Sequence, residues 1–138
     1  MLKQGWRGYV FSRSIGGSII PHRVQNLVIR DCAQKHQYTY LLSAVEYSMP
    51  NCYMMLKALM LELNHVAGVI FYATHLLPQE DLFRREIYQG FLENGKGLHF
   101  ALEDMSITKE EDVALIEDII LCRRLAARPG SLLMDERP

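Results

Sequence analysis

The sequence predicts an α/β fold: a single-domain, three-layer α/β/α sandwich on a mostly parallel, four-stranded sheet. Three observations carry that expectation. Four strand-then-helix units follow one another along the chain, the pattern of an open parallel sheet with crossover helices. The third strand segment, residues 68–73 (GVIFYA), is continuously apolar, as a central strand covered on both faces must be. The chain has 138 residues, 49% of them hydrophobic, which suffices for one domain to bury roughly two thirds of its unfolded surface.

The first unit opens with residues 7–13 (RGYVFSR), rich in β-formers, which run into a Ser-Ile-Gly-Gly loop. Pro21 stands at the first turn of the following helix, where its fixed φ and missing donor cost nothing. Val24, Leu27, Val28 and Cys32 recur at helical spacing, so residues 21–36 read as an amphipathic helix. The second unit is a strand over 39–45 and a helix running from Pro50 to about residue 65. That helix is apolar almost all round, through Met54, Met55, Leu56, Leu59, Met60 and Leu61, which requires burial on more than one side. The third unit joins the 68–73 strand to a helix over 79–93, stopped by Asn94-Gly95. The fourth joins a strand over 98–102 to a helix over 109–126, for which Thr108 and Glu111 have capping-box spacing. Residues 1–127 form the domain on this reading, and residues 128–138, which open Arg-Pro-Gly-Ser, a flexible tail.

Composition narrows the partners. A formal charge of −1 gives no general pull on nucleic acid or an anionic bilayer, so neither is expected as a partner. Cys32, Cys52 and Cys122 are odd in number, far apart and without a CxxC pair, so they read as buried thiols in a reducing cytoplasm. The five histidines never fall in HxH or HxxxH spacing, and no metal is expected. GxGxxG and Walker A signatures are both missing, so no cofactor is expected either. No apolar run approaches the roughly 18–20 residues that span a bilayer. The opening MLKQGWRG is too polar for a signal peptide.

Topology says where chemistry would sit. Doubly wound sheets bind ligands outside the carboxyl ends of their strands. The loops concerned are 12–20, 46–50, 73–78 and 103–107. Loop one and its helix offer Arg13, Arg23, Gln25, Asn26 and Arg30 as a grip for phosphate or carboxylate, with Arg23, Asn26 and Arg30 on one helix face. The plainer alternative is a solvated helix face beside a tight Gly16-Gly17 turn. Loop two offers Glu46 as an acid or base, Tyr47 to orient a ring, and Asn51 as either a ligand contact or a helix cap. The alternative for Glu46 is a structural pairing with Arg13, and the sequence leaves that choice open. His75, past the third strand, is a candidate proton shuttle. Ser12 completes the catalytic candidates with Glu46 and His75, although no GxSxG turn strains it into place. Of Glu103 and Asp104, adjacent on an extended end, at most one enters the site.

The segments RGYVFSRSIGGSIIPHRVQNLVIRDCA, YLLSAVEYSMPNCYMML and GVIFYATHLLP resemble the bacterial sporadic carbohydrate cluster proteins over about residues 5–125. That resemblance implies a role in surface-polysaccharide biosynthesis, with a sugar phosphate or nucleotide sugar as partner, and leaves catalysis and mere binding both open. The alternative is a homo-oligomeric assembly or regulatory module for glycan enzymes, suggested by the Met-rich second helix and by Val113, Ile116, Ile119 and Ile120 on the last. A weaker likeness, through GYV, a Gln on the next helix and an acidic residue after strand two, is to the serine recombinase (resolvase) catalytic domain. It implies a resolvase- or flavodoxin-like fold. Those enzymes place Arg and Ser three and five residues after the opening glycine, and here these positions hold Phe11 and Arg13. Thr74-His75-Leu76 stands where they carry Asp-Arg-Leu. The likeness therefore implies the fold without DNA strand cleavage, and DNA binding by a degenerate recombinase fold is the third alternative.

Overall fold

The computed structural model describes residues 4–127, and the tail expected over 128–138 lies outside them. Its sheet has five strands, β1 (Trp6–Val10), β2 (Tyr40–Val45), β3 (Gly68–Phe71), β4 (Gly97–Phe100) and β5 (Met105–Ile107), in the order β2-β1-β3-β4-β5. The first four are parallel neighbours and β5 pairs antiparallel with β4, so the sheet is mixed, not four-stranded and parallel. The extra strand is three residues long, too short to show periodicity. Its reversal is made at Asp104, whose φ of 53° lies in the left-handed region.

Four α-helices flank the sheet: α1 (His22–Lys35), α2 (Met54–Leu61), α3 (Asp81–Glu93) and α4 (Glu110–Ala127). Pro21 does precede α1, and Gly95, at φ 66°, does follow the end of α3. Pro50 does not open α2. Asn51 takes φ 59° in an intervening turn, the helix starts at Met54, and a separate 3-10 turn covers Leu63–His65. Nor is α2 buried all round: Leu56 and Leu59 enter the core while Met54 and Leu61 are exposed. The Thr108–Glu111 capping box does not form. Asp112 takes its place, accepting hydrogen bonds from the Thr108 N–H (2.9 Å), the Lys109 N–H (3.2 Å) and the Thr108 hydroxyl (3.2 Å). Those donors hold its carboxyl below the usual carboxylate range.

Side chains alternate across the strands, and the register sorts them into two layers. Tyr9, Phe71 and Phe100 stand in line on one face, with ring centroids 4.7 and 5.6 Å apart, and α2 and α3 cover them. Gly8, Ile70 and His99 face the other side, where α1 packs. Glycine at position 8 is a close-approach residue: a Cβ there would lie 2.1 Å from Ser43 Oγ and 3.4 Å from Ile29 Cδ1 of α1.

The last helix is fastened by one buried guanidinium. Arg84, 2% exposed, donates to Glu117 on α4 through Nε (2.7 Å) and Nη2 (2.8 Å), and to Asp81 (2.8 Å). It also donates to the Pro78 and Gln79 carbonyls, each at 3.1 Å, so nearly its whole donor set is used. Arg84→Met is expected to lower stability by about 3 kcal/mol, because it leaves the Glu117 carboxylate half-buried without its cation. Urea denaturation measures this, and Arg84→Met/Glu117→Leu should recover most of the loss.

Candidate functional site

The β1–α1 loop is shaped by Gln25, which is fully buried. Its Oε1 accepts from the Phe11 N–H (3.0 Å), and its Nε2 donates to the carbonyls of Phe11 and Ile20 (2.8 Å each). One amide thereby satisfies both ends of the loop. Between them Ile15 and Ser18 bond reciprocally, at 2.7 and 3.2 Å, around Gly16 and Gly17 with φ of 60° and 91°. Positive φ at both central residues is what a tight two-residue hairpin requires. The turn also sits over His75, whose Nε2 would be 3.2 Å from a Cβ at position 16.

Loop two is built on Glu46, 1% exposed. Its carboxylate accepts from the Tyr9 hydroxyl (2.7 Å) and from the backbone N–H groups of Tyr47 (3.1 Å), Met55 (3.0 Å) and Leu56 (3.1 Å). It caps the start of α2 from a distance, as a carboxylate near free helix donors should. Burial, together with the bond to Glu46, pushes the Tyr9 phenol far above its ordinary value. Loop three is a 3-10 turn, Thr74–Leu76, whose Thr74 N–H and hydroxyl donate to Glu103 at 3.1 and 2.6 Å. Of the adjacent pair, Glu103 braces the Thr74 turn, while Asp104 turns away toward α1.

These loops and α4 enclose a crevice of about 970 Å³ at the carboxyl ends of β1 and β3. Arg13, Asn51, Thr74, His75, Arg123 and Arg124 are among its lining residues. The Arg13 guanidinium lies 4.0 Å from the Phe11 ring centroid and 5.0 Å from that of Tyr53. Its Nη1 donates to the Tyr47 carbonyl at 2.9 Å, while Nη2 is buried without a partner. His75 Nδ1 is likewise buried and unpartnered. Arg123 donates to Thr74 Oγ1 (2.6 Å) and lies 3.7 Å from Glu103, and Arg124 lies 3.5 Å from Asp81. Three guanidiniums line one concave space, two of them beside carboxylates, and guanidinium forks are the side-chain type whose geometry matches carboxylate or phosphate. Burial chiefly, then the Arg123 charge, lowers the His75 pKa, with Glu103 opposing.

Of the residues singled out from sequence, Arg13, His75 and Asn51 line this crevice, and Tyr47 contributes a carbonyl to Arg13. The others do not line it. The Ser12 hydroxyl is 3.0 Å from His22 Nε2, so Ser12, Glu46 and His75 do not assemble as a triad. Gln25 and Glu46 are the loop braces just described. Asn26 accepts from Ser43 Oγ (2.7 Å), and the exposed Arg30 sits over the Tyr40 ring at 5.4 Å. Arg23 is exposed on α1. Sequence reasoning missed Arg123 and Arg124, although an Arg-Arg pair closing an apolar helix is a visible signal.

No family model and no curated protein sequence matches the chain. Among solved structures it is similar to the N-terminal catalytic domain of TP901-1 integrase, at TM-score 0.63 and 9% identity, over 86% of this chain and 94% of that one. It is also similar to a resolvase family site-specific recombinase from Streptococcus pneumoniae, at TM-score 0.61 and 10% identity, over 92% and 93% of the two chains. At such identities the likeness establishes a resolvase-like fold. It also corrects the expected assignment to surface-carbohydrate biosynthesis, with its sugar phosphate or nucleotide sugar partner and its dismissal of nucleic acid. The neighbours are recombination proteins, the likeness to sporadic carbohydrate cluster proteins gains no support, and the glycan-assembly alternative gains none either.

His75 is expected to titrate below its ordinary value of 6.5 and to be neutral at pH 7. Because the unfolded chain takes up the proton first, this residue removes stability as the pH falls below about 6.5 and restores it as the pH rises. Histidine ring NMR across that range checks the expectation, and a His75 ring protonated at pH 7 would contradict it.

Proposed function

We propose that the domain binds the phosphodiester backbone of DNA in the crevice at the carboxyl ends of β1 and β3, without cutting it. The observation that carries this reading is the buried, unpartnered Nη2 of Arg13, with Arg123 and Arg124 lining the same cavity. A guanidinium fork matches two phosphate oxygens at once, and backbone contacts of that kind supply most sequence-independent affinity for nucleic acid. The shared fold of an integrase and a site-specific recombinase supports DNA as the source of the phosphate. A net charge of −1 means that the attraction is local to this crevice. Among the described residues the domain lacks a placed nucleophile for cleavage: the Ser12 hydroxyl is bonded to His22, outside the cavity lining, and the resemblance to serine recombinases implies that His75 replaces their arginine.

Binding to DNA would place the protein in the cytoplasm, where its three free cysteines stay reduced. Among the described residues no helix is long and apolar enough to cross a membrane.

Fluorescence anisotropy with a labelled oligonucleotide, single-stranded and duplex, tests the reading across a salt series. Arg13→Ala and Arg123→Ala should each weaken binding about tenfold and reduce the salt slope by about one, as the loss of one phosphate contact does. Thermal denaturation of each variant establishes that it is folded. Absence of binding at low salt, or affinity indifferent to both substitutions, overturns the proposal, and strand scission in the same samples overturns its non-cleaving part.

A further inference from the structure

A second polar cluster lies away from the crevice, on the α1 side of the sheet. Cys32 on the last turn of α1 and His36, which caps the end of that helix, stand one turn apart at i, i+4 spacing. His99 projects from β4 toward the same helix, and Asp104 arrives from the β4–β5 reversal with its left-handed φ. One ligand atom from each of these four residues lies within 4.8 Å of all the others. His36 Nε2 and His99 Nε2 are already 3.0 and 3.1 Å from the same oxygen, Asp104 Oδ1. Cys32 and His99 are each 3% exposed, and His99 Nδ1 is buried with no hydrogen-bond partner.

We propose that Cys32, His36, His99 and Asp104 bind one zinc ion. A thiolate, two imidazoles and a carboxylate form a borderline-soft, four-donor set that suits zinc and disfavours magnesium and calcium, which take oxygen ligands. Tetrahedral zinc, with bonds of about 2.0–2.3 Å, holds its ligand atoms about 3.3–3.7 Å apart. The two His–Asp separations are close to that already, and since no pair exceeds 4.8 Å the widest has at most about 1 Å to contract, within reach of a side-chain rotation. Lys35 Nζ, 3.4 Å from Asp104 Oδ2, stays bonded to the oxygen that the metal does not use and so orients the carboxylate. His36 also lines a shallow cavity of about 420 Å³, which gives the ion a route in from solvent.

With four protein ligands the coordination sphere is closed, so the zinc is structural. It ties the carboxyl end of α1 to the reversal that launches β5, two segments that a short hydrogen-bond network otherwise joins. The site shares no residue with the crevice lining and does not depend on DNA binding.

The test uses the whole chain, stripped with a chelator and titrated with Co(II), a spectroscopic stand-in, and then with Zn(II). One equivalent of cobalt should produce tetrahedral d–d bands and a thiolate-to-cobalt charge-transfer band, and one equivalent of zinc should abolish both. Cys32→Ser should remove the charge-transfer band, and His36→Gln, at an exposed position that leaves the core intact, should weaken zinc binding at least tenfold. Zinc should raise the melting temperature of the wild type and not that of His36→Gln. A chain that takes up neither metal at stoichiometric concentration overturns the proposal. So does uptake that is unchanged in both Cys32→Ser and His36→Gln, since the metal would then be bound elsewhere.

Discussion

The carboxyl edge of this sheet is organised by one buried carboxylate. Glu46 follows the end of β2, almost fully buried, and its oxygens accept from a phenol on β1 and from the free N–H groups at the start of α2. A strand, its neighbour and a helix on one face thereby meet at a single side chain. Gln25 does the corresponding task for the first loop with a neutral amide. Together they fix the main chain on both sides of Arg13, whose guanidinium lies over Phe11 and Tyr53 in the lining of the cavity. Polar groups left without water must find partners inside the protein, and here that requirement shapes the site.

What could be read from sequence followed the range of each signal. The apolar 68–73 run marked the central strand because burial on both faces leaves a local imprint. The rule that ligands meet parallel strands at their carboxyl ends points to the end of the sheet where Arg13, Asn51 and His75 line a crevice. Local patterns do not say which way a side chain points, so Gln25 on α1 reads as a ligand contact although it bonds to the main chain. Glu46 is left open between acid or base and a structural element until its bonds to Tyr9 and the start of α2 are seen. The same limit hid Arg123 and Arg124, which reach the crevice only through the packing of α4 against the Thr74–Leu76 turn. It also hid the pairing of Cys32 and His36 with His99 and Asp104, more than sixty residues further along the chain.

The corrected functional assignment has the same root. The elements that carried the likeness to carbohydrate proteins include Gln25, Asn26 and Glu46, and all three are now seen to bond to neighbouring loops, strands and helices. A motif made of bracing residues reports how a chain is built. It says little about what the chain binds, and the resolvase-like neighbours share the architecture at only 9–10% identity.

The stacking of Arg13 bears on how an anion would be held. A free arginine carries about 2 kcal/mol of rotamer entropy, which a ligand ordinarily has to remove. Here two aromatic rings and the Tyr47 carbonyl have removed it during folding. On the proposed reading, a phosphate would meet a guanidinium already ordered by folding, so its association would carry little ordering penalty. A lysine at this position would keep the charge and lose both the stacking and the fork, and would bind as a mobile point charge.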